Sequence, residues 1–261
     1  VNNFKQEFAN AYAAYPDVPI GLLEAVSFTM TRFNHLENSI ESCIGLPKTY
    51  GVMGLTLDGK GYFRNNLNYI SQVSGVAVND IINSPEQNIL AFAAAYHNQL
   101  VDLSSYFYKS QNYAHILSNL SELPIKGLQQ DYALNAHLYA VLSFLNDEKM
   151  QKRYGFPNHD LELVKVFGEE NLKVLSSPKV LIRNNAIENE KGESYKLLNN
   201  KSIDYPPAIQ DLTTCNYSSR NGTPVSAATI HTIQGTYSGC ISWFKNCSAS
   251  VSAHYVLRSS D

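Results

Sequence analysis

The chain has 261 residues, 44% of them hydrophobic and 16% charged, with a formal net charge of −3. That balance supports a packed core, in one large domain or two ordinary ones, and excludes a disordered chain. No Lys/Arg run stands out, which excludes an electrostatic nucleic-acid binder, and no apolar run reaches the ~18 residues of a membrane-spanning helix. Val1 in place of Met leads us to expect a trimmed or processed mature chain.

Residues 4–15 place Phe4, Phe8, Ala11, Tyr12 and Tyr15 at helical spacing, and Pro16 and Pro19 end the pattern. Gly21–Phe33 predicts a second helix, with Leu22, Leu23, Val26, Met30 and Phe33 on one stripe. Six glycine and proline punctuations between 45 and 61 predict a loop or a short glycine-hinged element. Helices are then expected over Tyr62–Ser74 and, briefly, Val78–Asn83. Ser84 is a candidate N-cap, with Pro85 at the first helical position and Gln87 at the capping-box position of a long helix running from 85 to 108. Gln111–Leu120 and Gln129–Asn146 supply two more, so the chain reads as almost all α to about residue 155.

The texture then changes. Residues 179–202 are polar and poorly periodic, and predict a linker with one short strand, Val180–Arg183. Thr223–Ile233 is a β-branched strand, Tyr237–Asn246 a helix, and Val251–Leu257 an alternating strand. Seventeen Tyr and eleven Phe beside one Trp form a skew that suits sugar binding, since a ring packs on a pyranose face while the hydroxyl bonds. Four cysteines, Cys43, Cys215, Cys240 and Cys247, allow three full pairings, and three of them crowd into the C-terminal part, as an oxidising compartment permits. Seven residues of continuous helix would hold Cys240 and Cys247 roughly 10 Å apart, too far to pair unless the helix ends before Cys247.

Three segments in order resemble the lytic transglycosylase branch of the lysozyme superfamily. Ala25–Phe33 falls on that family's A-I-A-x-x-E-S-x-F helix, Gly51–Leu55 on its G-x-x-G-L-M-Q stretch, and Pro85–Ile89 on its D-P-x-x-N-I helix start. The resemblance spans about residues 10–145. Met30 stands where the family has its catalytic glutamate, and a thioether cannot donate the proton that glycosidic cleavage needs. Glu24 lies about 120° away around the helix and is expected on the helix surface. Two alternatives stay open on the sequence: a glutamate replaced by Met30, or a register shifted by one turn. The resemblance implies a degenerate, glycan-holding domain that does not cleave by the family mechanism, with Tyr50, Tyr62, Phe63 and Tyr96 supplying ring faces.

A second resemblance covers the C-terminal part. Thr214–Arg220, then TIHTIQGTYSGCISWF (229–244), then VSAHYVLRSSD (251–261) are similar to the start of the zinc-dependent N-acetylmuramoyl-L-alanine amidase family. His231 matches the first zinc ligand, at a strand end. His254 matches a histidine of the following strand that is not generally a ligand, and is expected behind the site or on its wall. Zinc would lower the pKa of bound water to about 7 and polarise the carbonyl under attack. The family's other ligands and its acid lie beyond the position of Asp261, so we expect a fragment, able to pair with the absent C-terminal segment or with another chain. His35, His97, His115, His137 and His159 show no metal-ligand spacing and are expected to be ordinary surface or core residues.

Together these readings imply an α+β protein: an all-α lysozyme-like domain (1–155), a linker (156–204) and an incomplete α/β zinc-amidase domain (205–261). The implied function is peptidoglycan hydrolysis outside the cytoplasm, with zinc as cofactor, peptidoglycan as partner and no nucleic acid. The alternatives are a transglycosylase or muramidase using another acid, and a non-catalytic peptidoglycan-binding module.

Overall fold

The computed structural model describes residues 4–37, 46–57, 63–102, 109–124, 127–183, 186–197, 213, 215–218 and 237–256. The chain is α+β, and divides into two compact units, Val1–Asn199 and Asn200–Asp261. Among the described residues no helix is long and apolar enough to cross a membrane.

The first unit carries ten helices among its described residues: α1 (Lys5–Ala14), α2 (Leu22–Thr31), α3 (Asn66–Ser74), α4 (Val78–Asn83), α5 (Pro85–Asp102), α6 (Lys109–Leu120), α7 (Leu128–Asn146), α8 (Glu148–Tyr154), α9 (Leu163–Phe167) and α10 (Glu169–Leu175). The helix α5 is the centre, packed against α1, α3, α4 and α6. Six consecutive residues, Ala91–Tyr96, are buried, so no face of this stretch meets water, as befits a helix apolar all round. Each fully buried large apolar side chain here, such as Ile89 or Phe92, contributes about 1.5–3 kcal/mol. The expected cap at Ser84 is present, its Oγ accepting from Gln87 N at 3.2 Å.

Of the two expectations for the glycine-punctuated stretch, the short glycine-hinged element forms within 48–57 as a hairpin: β1 (Lys48–Tyr50) pairs antiparallel with β2 (Leu55–Leu57), Tyr50 opposite Leu55. Both glycines of its turn have positive φ and lie against other elements. A Cβ on Gly51 would collide with the Asn88 amide, and one on Gly54 would come within 2.7 Å of Met30 Cβ. A second hairpin joins β3 (Val180–Ile182), which was expected, to β4 (Ile187–Asn189), which was not. The first unit is therefore not purely helical.

The stretch 156–197, expected as linker, packs into the first unit instead. Phe156, Leu161, Phe167, Val174, Leu175, Ile187 and Tyr195 all belong to its core. Polar ties reinforce the packing: Tyr195 donates to Asp131 Oδ2 at 2.8 Å, and His159 Nε2 lies 2.8 Å from the Ile20 carbonyl. Apolar residues in three-residue strands and five- to seven-residue helices give too few repeats for a period to show in the sequence.

In the second unit, α11 (Tyr237–Lys245) forms where the sequence placed it. It stops at Asn246, whose Oδ1 accepts from Ser248 N at 3.1 Å and caps a 3₁₀ turn, Cys247–Ala249. Cys247 thus leaves the helix and pairs with Cys215, with Cα atoms 5.5 Å apart. Cys240 stays on α11, free and buried. Asn216 donates to the Phe244 and Asn246 carbonyls at 3.3 and 2.8 Å, fixing the strap to the helix end. The strand expected over 251–257 is not formed in 251–256, where alternation finds no partner strand among the described residues. The strand expected over 223–233 lies outside the described residues.

Candidate functional site

The three segments of the first resemblance meet at one place in the first unit. Thr31 Oγ1, at the end of α2, donates to the Val52 carbonyl at 2.7 Å. Asn88, in the first turn of α5, accepts from Met53 N at 2.8 Å and donates to the Ile81 carbonyl at 3.0 Å. Both Thr31 and Asn88 are buried, so these bonds replace water for groups that would otherwise be stranded. The hairpin turn is thereby clamped between α2 and α5, with Gly54 against Met30. Thr56 N donates to Asn66 Oδ1, and Asn66 Nδ2 donates to the Leu120 carbonyl, which carries the same clamp to the end of α6.

Beside this clamp is a small cleft. Met30, Met53, Phe92, Leu117 and Leu120 give it apolar walls, and Ser121, Glu122 and His137 its polar groups. Met30 is partly buried and lines this cleft. Burial pushes the Glu122 carboxyl above the usual carboxylate range; its own backbone, Ser121 and the Arg64 charge oppose the shift without cancelling it. Burial pushes His137 down to about 4, so the ring is neutral near neutral pH. A carboxyl held toward its protonated form can give up a proton to a group bound beside it.

Several expected site residues fall elsewhere. Glu24 is not on the helix surface. It is 8% exposed, and Tyr12 Oη donates to its Oε2 at 2.5 Å while accepting from Gly21 N at 2.8 Å and Leu23 N at 3.1 Å. The first residues of α2 are buried on every side, so a carboxylate there survives only by being hydrogen-bonded. Burial raises the Glu24 carboxyl, against the Tyr12 hydrogen bond. Tyr96 cannot offer a ring face: it is 0% exposed inside α5, and its hydroxyl has no hydrogen-bond partner among the described residues. Tyr50 and Phe63 are partly buried and partly accessible. Tyr62 lies outside the described residues.

In the second unit His254 is exposed, and His231 lies outside the described residues. Among the described residues no three His, Cys, Asp or Glu side chains converge to hold a metal ion. The described residues therefore do not assemble a zinc sphere.

The sequence did not single out Glu122, and His137 was expected to be an ordinary surface or core residue. The one available signal was Glu122 itself, an acid just past the C-terminus of α6, where the helix dipole disfavours negative charge. His137 gave none, because its partners in space lie on other elements.

The architecture is that of a helical unit with a clamped hairpin cleft, followed by a small disulfide-tied unit. A 61-residue stretch of the chain, 23% of it, is 46% identical to N-acetylmuramoyl-L-alanine amidase A of Achromobacter lyticus. The match spans about a third (34%) of that protein's length. No family model matches the chain, and no solved structure does.

Proposed function

We propose that this chain is part of a peptidoglycan hydrolase, with its second unit acting as part of a zinc-dependent N-acetylmuramoyl-L-alanine amidase domain. The 46% identity to an amidase of that name carries the reading. The I-H-T sequence at His231 and the V-S-A-H-Y sequence at His254 support it. His231 is the proposed zinc ligand, and exposed His254 a residue of the site wall. The described residues add no group that completes the metal sphere.

The first unit is read as lysozyme-like and as the holder of the glycan strand, with Tyr50, Tyr62 and Phe63 as its ring faces. The meeting of its three motif segments around Met30 supports that reading. Peptidoglycan lies outside the cytoplasmic membrane, and the Cys215–Cys247 disulfide suits that oxidising setting.

The test is digestion of purified sacculi by the full-length protein, with and without a zinc chelator. Free stem peptides are expected, and the chelator is expected to suppress them. His231→Ala is expected to cut peptide release at least ~100-fold. Undiminished release by that variant overturns the metal assignment. Binding of sacculi with no soluble product identifies a non-catalytic module instead.

A further inference from the structure

Two of the chain's three methionines line the same small cleft. Met30 comes from α2 and Met53 from the turn between β1 and β2, while His137 joins them from α7 and Glu122 from the turn after α6. The free volume between them is about 10 Å³, room for one water-sized body, which is also the room one metal ion takes. The donors are not committed elsewhere. His137 forms no hydrogen bond among the described residues, and the Glu122 carboxylate accepts only a long one there, 3.4 Å, from Ser121 Oγ. The Arg64 guanidinium nearby is engaged with the carbonyls of Ser118 and Ser121. The backbones that carry the donors are pinned in turn. Met53 N donates to Asn88 Oδ1 at 2.8 Å, the Val52 carbonyl accepts from Thr31 Oγ1 at 2.7 Å, and the Glu122 carbonyl accepts from Arg64 N at 2.8 Å.

We propose that Met30, Met53 and His137 bind one soft monovalent metal cation, Cu(I), with the Glu122 carboxylate as its balancing charge. Ligand softness selects the ion. A thioether is a poor partner for the hard cations Mg(II) and Ca(II), which take oxygen, and a good one for Cu(I), which imidazole also suits. Charge selects in the same direction. Two thioethers and an imidazole are neutral, and a doubly charged ion stripped of water between Leu117, Leu120 and Phe92 would lack the anions to offset its desolvation. A single positive charge is matched by one carboxylate. The four residues come from four separate segments, so the bound ion ties α2, the hairpin turn, the end of α6 and α7 together and stabilises the first unit. No electron is transferred in this binding. The site stands apart from the zinc proposed at His231 in the second unit, and depends on no reading of the glycan or amide chemistry.

The experiment titrates Cu(I) into the full-length protein, labelled with carbon-13 in its methionine methyl groups, without oxygen and with ascorbate as reductant. Cys43→Ser and Cys240→Ser remove thiols that would compete for the ion. The Met30 and Met53 methyl signals are expected to move together and stop at one ion per chain, while Met150, on α8 and outside the cleft, stays in place as the internal control. Zn(II) is expected to leave all three signals unmoved. Met30→Leu and His137→Gln are each expected to weaken Cu(I) at least ~10-fold against a competing chelator, with digestion of sacculi unchanged. Where the serine background fails to fold, the wild-type chain is titrated beyond its thiols and the same methyl signals decide. Met30 and Met53 signals that stay in place under Cu(I), that move under Zn(II) instead, or an affinity that Met30→Leu leaves intact, overturn the proposal and make these methionines core filler only.

Discussion

The first unit holds its backbone by apolar burial: α5 is enclosed by four other helices, and the short elements from Phe156 to Tyr195 add their side chains to the same core. The second unit, in its described residues, buries a single side chain, Cys240, and exposes Tyr217, Trp243, Val251 and Tyr255. What ties it is a covalent bond and one asparagine: Cys215–Cys247, with Asn216 bridging the carbonyls at the end of α11. A short segment has too little interior to offset the entropy of ordering it, and a crosslink lowers the entropy it has to lose. The two regions therefore answer to different perturbations.

Reduction should separate them most sharply. Cys215→Ser opens a crosslink spanning a sequence separation of 32, and is expected to destabilise the second unit by about 4 kcal/mol while leaving the first untouched. Limited proteolysis should then cut within 200–261 and spare 1–199; equal sensitivity in both would erase the distinction. A smaller effect, confined to the first unit, is expected from Tyr12→Phe. It strips the acceptor from Gly21 N and Leu23 N and the donor from Glu24, a loss of about 3 kcal/mol that a denaturant midpoint would register. A change of a few tenths would mean that water replaces the hydroxyl.

The smallest effect depends on pH. His137 titrates near 6.5 when unfolded and at about 4 when folded. Between those values the unfolded chain binds a proton that the native chain refuses, so this group's contribution is whole above 6.5 and is lost as pH falls toward 4. Partial exposure discounts it to roughly 2 kcal/mol. His137→Gln should flatten that part of the stability curve; a wild-type slope in the variant would show that the ring is solvated.

Much of the helical frame was legible because long helices repeat their pattern several times. The positions of α1, α2, α5, α6, α7 and α11 follow from apolar spacing, and Ser84-Pro85 marks the start of α5 in both sequence and structure. The elements missed are short. Hairpin β1–β2 was hidden by glycines whose purpose is contact with Met30 and Asn88, partners some 20 to 40 residues away in sequence. Alternation at 251–256 promised a strand, but a strand is defined by its neighbour, and alternation does not supply one.

The candidate site divides the same way. Residue type alone ruled out position 30 as an acid, since a thioether has no proton to give, and motif spacing alone marked His231. Three-dimensional packing decided that Glu24 and Tyr96 are interior groups, that Cys215 rather than Cys240 joins Cys247, and that Glu122 and His137 share a cleft with Met30. Chemical identity and local periodicity are properties of the chain as written. Desolvation, and the charge state that follows from it, depend on which distant segments close over a group, and only the folded core fixes that.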